Sequence, residues 1–287
     1  MTVRYAIIGA GMMGQEHIRN LALVPGASVT AIADPHDGMR EEASALAGDQ
    51  AQSFSSHGDL LSADMSDAFV VASPNHTHKG VLADLTAAGK PILVEKPLCT
   101  TQADCAEAAA LAEAAGVPLW VAMEYRYMPA IARLIEDVEK GAAGTLHMIS
   151  IREHRFPFLD KVGDWNRFQA NTGGTMVEKC CHFFDLMRLI LKSEPVRVYA
   201  SGAQSVNHLN ERYDGAAPDI LDNAFVVVDF ASGARGMLEL SMFAEGSEFQ
   251  ESVAVIGDTA KIEALVPGPG RFRPADQSTD SLLIHSP

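Results

Sequence analysis

Gly9, Gly11 and Gly14 follow a short apolar run, Arg4-Tyr5-Ala6-Ile7-Ile8, and open a stretch with helical character. This is the spacing a dinucleotide pyrophosphate requires. The first glycine permits a tight turn, the second lets the backbone approach the phosphates, and the third lets helix and strand pack closely. Free N–H groups at the helix start face the phosphate charge. Met12 and Met13 lie in the same turn and join the candidate cofactor contacts. Asp34 ends a second apolar run about 20 residues on, where a carboxylate accepts bonds from both ribose hydroxyls. It also repels a 2′-phosphate, so NAD is the expected cofactor and NADP is disfavoured. A structural glycine turn without a ligand is the alternative, and the order strand, turn, helix, acid argues against it.

Glu178, His182 and Asp185 form a second constellation. On one helix expected over 174–191 they fall within an arc of about 60°. The rest of that circumference is apolar: Val177, Cys180, Cys181, Phe183, Phe184, Leu186, Met187 and Ile190. A nearly buried helix with one polar stripe faces a cleft or holds a satisfied polar cluster. In a cleft, His182 can hydrogen-bond a reacting hydroxyl, Glu178 can orient the imidazole or bind a neighbouring hydroxyl, and Asp185 can bond a backbone group or support His182. Glu-x-x-x-His can also chelate, but no third strong ligand is spaced for it, so no metal is expected. Lys96 ends a fourth apolar run at the carboxyl edge, where open α/β sheets place ligands.

The elements that must position these groups are legible as apolar runs separated by helical stretches. Strands are expected at 4–8, 28–33, 68–72, 91–94 and 117–123. Helices are expected at 14–23, 38–47, 77–88 and 102–115, the last capped by Thr100 or Thr101. Continuous apolar strands between helices imply a parallel sheet covered on both faces. After residue 121 the pattern changes. A helix over 130–139 and a strand over 145–152 precede the helix at 174–191. Strands at 224–230 and 235–243 then flank Ser232-Gly233, and strands at 253–256 and 261–265 flank Gly257-Asp258-Thr259, two hairpin signals. The expected fold is α/β: a Rossmann domain over 1–121 with a doubly wound parallel sheet, then an α+β domain over 122–287 with an open, mainly antiparallel sheet. The last twenty residues are Pro/Gly-rich and polar, and are expected to be irregular.

Apolar residues make up 47% of the 287 and charged residues 21%, a globular profile. The net charge of −15 argues against nucleic acid or an anionic membrane as partner. No apolar run reaches the roughly 18 residues of a membrane span. Cys99, Cys105, Cys180 and Cys181 match neither a zinc site nor a disulfide framework, which suits a reducing cytoplasm.

Further motifs follow the glycine turn and Asp34 in order: Ser73-Pro74-Asn75-x-x-His78, Gly89-Lys90, Glu95-Lys96-Pro97, Arg126-Tyr127-x-Pro129, Trp165, Gly173-Gly174 and the Glu178/His182 pair. In combination they resemble the Gfo/Idh/MocA oxidoreductases, the glucose-fructose oxidoreductase and inositol dehydrogenase family. The resemblance implies hydride transfer between a nicotinamide and a carbon of a cyclic polyol or sugar, and an open sheet that builds a homodimer or homotetramer. It makes Lys96 the catalytic lysine, and Glu178 and His182 the acid and histidine of the family's Asp-x-x-x-His motif. Ser73, Asn75, Glu95 and Lys96 are expected at the cofactor. Lys96, Arg126, Arg152, Trp165, Glu178 and His182 are expected at the substrate, with Trp165 able to stack on a pyranose face. His76 and His78 are expected to be structural.

Oxidising a secondary alcohol sends a hydride to the nicotinamide and removes a hydroxyl proton, so a base must stand at the hydroxyl. Lysine has a pKa of about 10.4 and needs it lowered by roughly three units to serve near neutrality. The chain departs from the family pattern at Glu178, which replaces the usual Asp, at Lys179-Cys180-Cys181, and at Glu124-Tyr125 before Arg126. It also stops sooner after its second hairpin than the family does, as a truncation or a shortened member would. An NAD-dependent dehydrogenase is the first expectation. An NAD-recycling glycosidase that oxidises its substrate transiently is the second, and a non-catalytic dinucleotide sensor is the third.

Overall fold

A computed structural model describes residues 2–267 and 281–285. The chain divides into two compact units, Met1–Ala122 with Asp160–Glu178, and Met123–Leu159 with Lys179–Pro287. The second unit is not contiguous, because 160–178 clusters with the first.

The first unit carries β1 (Val3–Ile8), α1 (Met12–Leu21), β2 (Ala27–Ala33), α2 (Asp37–Ala47), β3 (Gln52–Phe54), α3 (His57–Ala63), β4 (Ala68–Val71), α4 (His78–Ala87), β5 (Ile92–Val94), α5 (Gln102–Ala115) and β6 (Leu119–Val121). Its strands are all parallel, in the order β3-β2-β1-β4-β5-β6. The run 5–8 is apolar throughout because both sheet faces are covered. Ile7 packs with Ile32, Val70 and Ile18 of α1 on one face, while Ala6 and Ile8 pack with Phe69, Leu82 and Leu85 on the other. Thr101 caps α5, its hydroxyl accepting from Asp104 N at 3.1 Å. β3 and α3 escape sequence reading because β3 is three residues, Gln-Ser-Phe, with no apolar run.

The second unit holds α6 (Pro129–Glu139) and β7 (Leu146–His154). From segment 160–178, α7 (Gln169–Thr172) and α8 (Thr175–Glu178) belong to the first unit; α9 (Cys181–Leu191) returns to the second. Then come β8 (Pro195–Ala203), β9 (Asn223–Phe230), β10 (Arg235–Ser241), β11 (Phe249–Gly257), β12 (Lys261–Pro267) and β13 (Ser281–His285). The sheet order is β13-β12-β11-β7-β10-β9-β8. β7 and β10 pair in parallel and the other neighbours antiparallel, so the sheet is mainly antiparallel as expected. Both hairpins form where the turn residues indicated, and Gly233 takes φ +87 in the first. β8 is one element missed here. It is an edge strand exposed along its length, without the in–out alternation that burial imposes.

Two expectations are corrected. The helix at 174–191 is two helices, α8 and α9, interrupted at Lys179-Cys180. The Glu178 carbonyl accepts from Lys96 Nζ at 3.1 Å, a bond directed away from the helical ladder. The tail expected to be irregular contributes β13, whose Lys261↔His285 to Leu265↔Ser281 register extends the sheet. The rest of that tail lies outside the described residues. Among the described residues no helix is long and apolar enough to cross a membrane. No group of three or more His, Cys, Asp or Glu among them could hold a metal ion.

Candidate active site

The glycine turn is built as its spacing requires. Gly9 has φ +94, and a Cβ there would lie 2.4 Å from Ser73 N, so β1 and β4 close on each other at their carboxyl ends. A Cβ on Gly14 would lie 2.0 Å from the Gly9 carbonyl, the close helix–strand approach expected of the third glycine. Gly11 differs: its Cβ would have no protein atom within 4 Å. Nothing in the fold demands glycine there, and the space beside it suits a pyrophosphate. Gly11 is also the N-cap of α1 and supplies no side-chain cap, so the helix start is available to phosphate oxygens. These residues fit an NAD dinucleotide. Asp34 does more than wait for a ribose. Its carboxylate accepts from Ala10 N and His36 N, both at 2.8 Å, and ties the glycine turn to the end of β2.

Lys96 stands just past β5, and its bond to Pro97 is cis. Its Nζ lies 3.9 Å from Glu178 Oε1, in addition to the bond to the Glu178 carbonyl. Asn75 donates to Glu178 Oε2, so Lys96, Asn75 and Glu178 form one group within the first unit. Glu95 points elsewhere and pairs with His17 Nε2 at 2.7 Å. The Ser73 hydroxyl is 2.7 Å from Thr77 Oγ1. His78 is fully buried, its ring nitrogens 2.9 Å from the Ser73 and Pro97 carbonyls, and burial pushes its pKa down. It braces the turn that carries Lys96, as a structural histidine would. Lys161, which the sequence did not single out, has its pKa lowered by burial, with Glu178 opposing and Lys96 adding to the effect. Trp165 packs edge-on against His76, with ring centroids 6.1 Å apart.

The second unit contains His182, Arg126 and Arg152. The His182 ring is stacked on Tyr125 at 4.3 Å between centroids, with 10° between planes. Its Nε2 lies 3.8 Å from Glu124 Oε1. Asp185, expected to bond a backbone group or support His182, instead forms a two-pronged pair with Arg126, with Asp185 Oδ2 2.6 Å from Arg126 Nε. Glu178 ends α8, whereas His182 and Asp185 lie on α9, so the one helix expected to carry all three is divided at Lys179-Cys180. Arg152 was expected at the substrate. Along β7, Ile149, Ile151 and Glu153 are buried, and Arg152 alternates to the other sheet face. Glu153 meets Lys179, which in turn meets Tyr125, so Arg152 lies across the sheet from the Tyr125–His182 stack.

Sequence reasoning missed a buried ionic set of Tyr125, Glu153, Lys179 and Glu251, with the half-buried Arg155 at its edge. Lys179 Nζ is 3.1 Å and Arg155 Nη1 3.5 Å from Glu153 Oε1. Burial raises the Glu153 pKa to about 8, and the opposing Glu251 adds to it. Burial lowers Lys179, and the Glu153 charge works against that. The available signal was Lys179 itself, a lysine beside Cys180 on the apolar arc of the expected helix.

Comparison with known proteins agrees with this architecture. Residues 3–123 match a model of an oxidoreductase family, NAD-binding Rossmann fold, and residues 135–282 match the C-terminal alpha/beta domain of the same family. The rhizopine catabolism protein MocA of Rhizobium meliloti is 30% identical over 83% of this chain and 70% of its own length. Inositol 2-dehydrogenase 1 of Saccharopolyspora erythraea is 29% identical over 93% of this chain and 75% of its own. The crystal structure of GenD2 from gentamicin A biosynthesis, in complex with NAD, superposes with a TM-score of 0.81 at 28% identity, covering 92% of this chain and 72% of that one.

Proposed function

The chain belongs to the Gfo/Idh/MocA oxidoreductases, with an NAD-binding Rossmann domain, and we propose that it moves a hydride between NAD(H) and a secondary hydroxyl or ketone of a cyclic polyol or sugar. The observation that carries this reading is the Lys96–Glu178–Asn75 group at the carboxyl edge of the same sheet whose glycine turn leaves room at Gly11. The relatives named for inositol oxidation supply the substrate class.

Bound NAD supplies the hydride acceptor. The N–H groups of the turn from Gly9 to Gly14, with Met12 and Met13 in the first helical turn, would hold its pyrophosphate. Asp34 keeps lone pairs for the ribose hydroxyls beyond its two backbone bonds, and its charge disfavours the 2′-phosphate of NADP. Ser73, Asn75 and Glu95 belong to the strand ends that border the cofactor. In oxidation the substrate C–H leaves as hydride, the O–H proton passes to Lys96 Nζ, and a ketone remains. Glu178 orients the lysine and bonds a neighbouring hydroxyl. His182 is the second proton-handling group, and Arg126 and Trp165 are contacts for substrate. We assign no substrate role to Arg152.

The exposed sheet face of the second unit, with Tyr199 70% and Phe225 59% accessible, is covered in this reading by a second copy of the chain. The four cysteines suit a reducing cytoplasm in this reading. Incubation with NAD and a panel of inositols, pyranoses, anhydrosugars and glycosides tests the reading. Cofactor reduction by a polyol or sugar is expected. Glycoside cleavage without net reduction would replace the dehydrogenase by the redox-recycling glycosidase, and neither reaction would leave a dinucleotide sensor.

A further inference from the structure

The buried ionic set of the second unit has no part in the chemistry above. Glu153 on β7 and Glu251 on β11 stand directly opposite in the antiparallel register, and both are buried. Two facing carboxylates in a core require cations or shared protons. Lys179 and Arg155 supply the cations to Glu153. Lys179 Nζ also donates to the Tyr125 hydroxyl, and that hydroxyl donates to Glu251 Oε1 at 2.8 Å. Gln250 Nε2 donates to the same Glu251 oxygen. The Tyr125 hydroxyl thus has a fixed acceptor and a fixed donor, which sets the plane of its ring. Lys179 Nζ lies 4.5 Å from the centroid of that ring, whose face is stacked on His182.

We infer that Lys179, Glu153 and Glu251 are positioning residues for His182: they pin the Tyr125 hydroxyl, and the pinned ring sets the plane and the electrostatic surroundings of the imidazole. The inference rests on the proposed role of His182 in hydride transfer. Apolar side chains of equal volume would hold this core as well or better. A relay of one cation, one phenol and two carboxylates does what they could not: it fixes a ring orientation and places charges of both signs near the imidazole. Charged or titratable groups near His182 include Glu124, whose Oε1 lies 3.8 Å from Nε2, Asp185 on the same helix in its pair with Arg126, and the Cys180 thiol two positions back, which burial pushes up. Burial pushes the Glu153 carboxyl up, and the Lys179 and Arg155 cations pull it back down.

The test follows the His182 ring nitrogens by NMR titration of the full chain, with the signal identified by its loss in His182→Gln. Lys179→Met removes a cation and is expected to raise the His182 midpoint, whereas Glu251→Gln removes an anion and is expected to lower it, each by about half a pH unit. Opposite shifts are the signature, because mere loosening of the core moves both the same way. Tyr125→Phe keeps the stacked ring and loses the hydroxyl. It is expected to move the midpoint and to lower kcat about tenfold at unchanged KM for NAD. This mild variant carries the test if a buried-charge variant fails to fold. Wild-type titration and a wild-type kcat–pH profile in Tyr125→Phe would overturn the inference, as would shifts of one sign in Lys179→Met and Glu251→Gln. Full turnover in His182→Gln would instead sink the proposed role of His182, and the positioning role with it, whatever the midpoints do.

Discussion

The glycine turn of the first unit and the ionic set of the second are both tightly constrained, but by opposite means. The turn draws on residues within one stretch, Gly9 to Gly14, and its limits are backbone limits: a positive φ at Gly9 and a carbonyl 2.0 Å from any Cβ on Gly14. The ionic set gathers Tyr125, Glu153 with Arg155, Lys179, and Glu251 from four distant stretches, and its limits are the cost of unpaired charge in a core. Local backbone constraint leaves a spacing that can be read in a sequence. Long-range charge pairing leaves none.

The largest expected effect is chemical. Lys96→Ala should lower kcat by about a thousandfold, the scale of a lost general base, while NAD binding followed by fluorescence titration stays near wild type. Wild-type turnover in this variant would remove Lys96 from the reaction. Gly14→Val is next, and acts on the fold. With no room beside the Gly9 carbonyl, it should destabilise the first unit by about 3 kcal/mol or more, read by thermal unfolding. Gly11→Ala makes the contrast sharp. Its Cβ meets no protein atom, so stability should hold while the NAD dissociation constant rises about tenfold. Equal loss of stability in both variants would erase the distinction between a packing glycine and a ligand glycine.

The same contrast sets what the sequence could and could not reveal. Every strand of the first sheet except β3 is legible, because apolar runs such as 5–8 and 68–71 are buried on both faces. The turn and Asp34 are legible through spacing, and Lys96 through its place at a strand end. The interruption of the helix at Lys179 is not, nor is the bond that the Glu178 carbonyl beside it accepts from Lys96, about 80 positions back. Nor is the Arg126–Asp185 pair, nor the side of β7 on which Arg152 falls, since an alternating strand reveals its faces only after its buried residues are known.

Smaller effects probe the other side of the comparison. Asp34→Ala should raise the KM for NAD about tenfold and relax discrimination against NADP. Unchanged preference would confine Asp34 to its bonds with Ala10 and His36. Glu153 ionises at about 8 in the fold, against 4.5 for a free glutamate. Between those values the folded chain holds the extra proton. Its contribution to stability is therefore full below 4.5 and is lost as the pH rises through about 8. Glu153→Gln should flatten the fall of Tm across that interval. An unaltered slope would mean that Glu153 does not titrate there.

Transfer of deuterium tests the central claim most directly. A polyol or sugar that reduces NAD in the panel is supplied with deuterium on the carbon bearing the oxidised hydroxyl, and the reduced cofactor is examined by mass spectrometry. The account predicts that the label passes to the nicotinamide with wild-type protein and that transfer is all but lost with Lys96→Ala. Unlabelled reduced cofactor, or equal transfer by the two proteins, would contradict it.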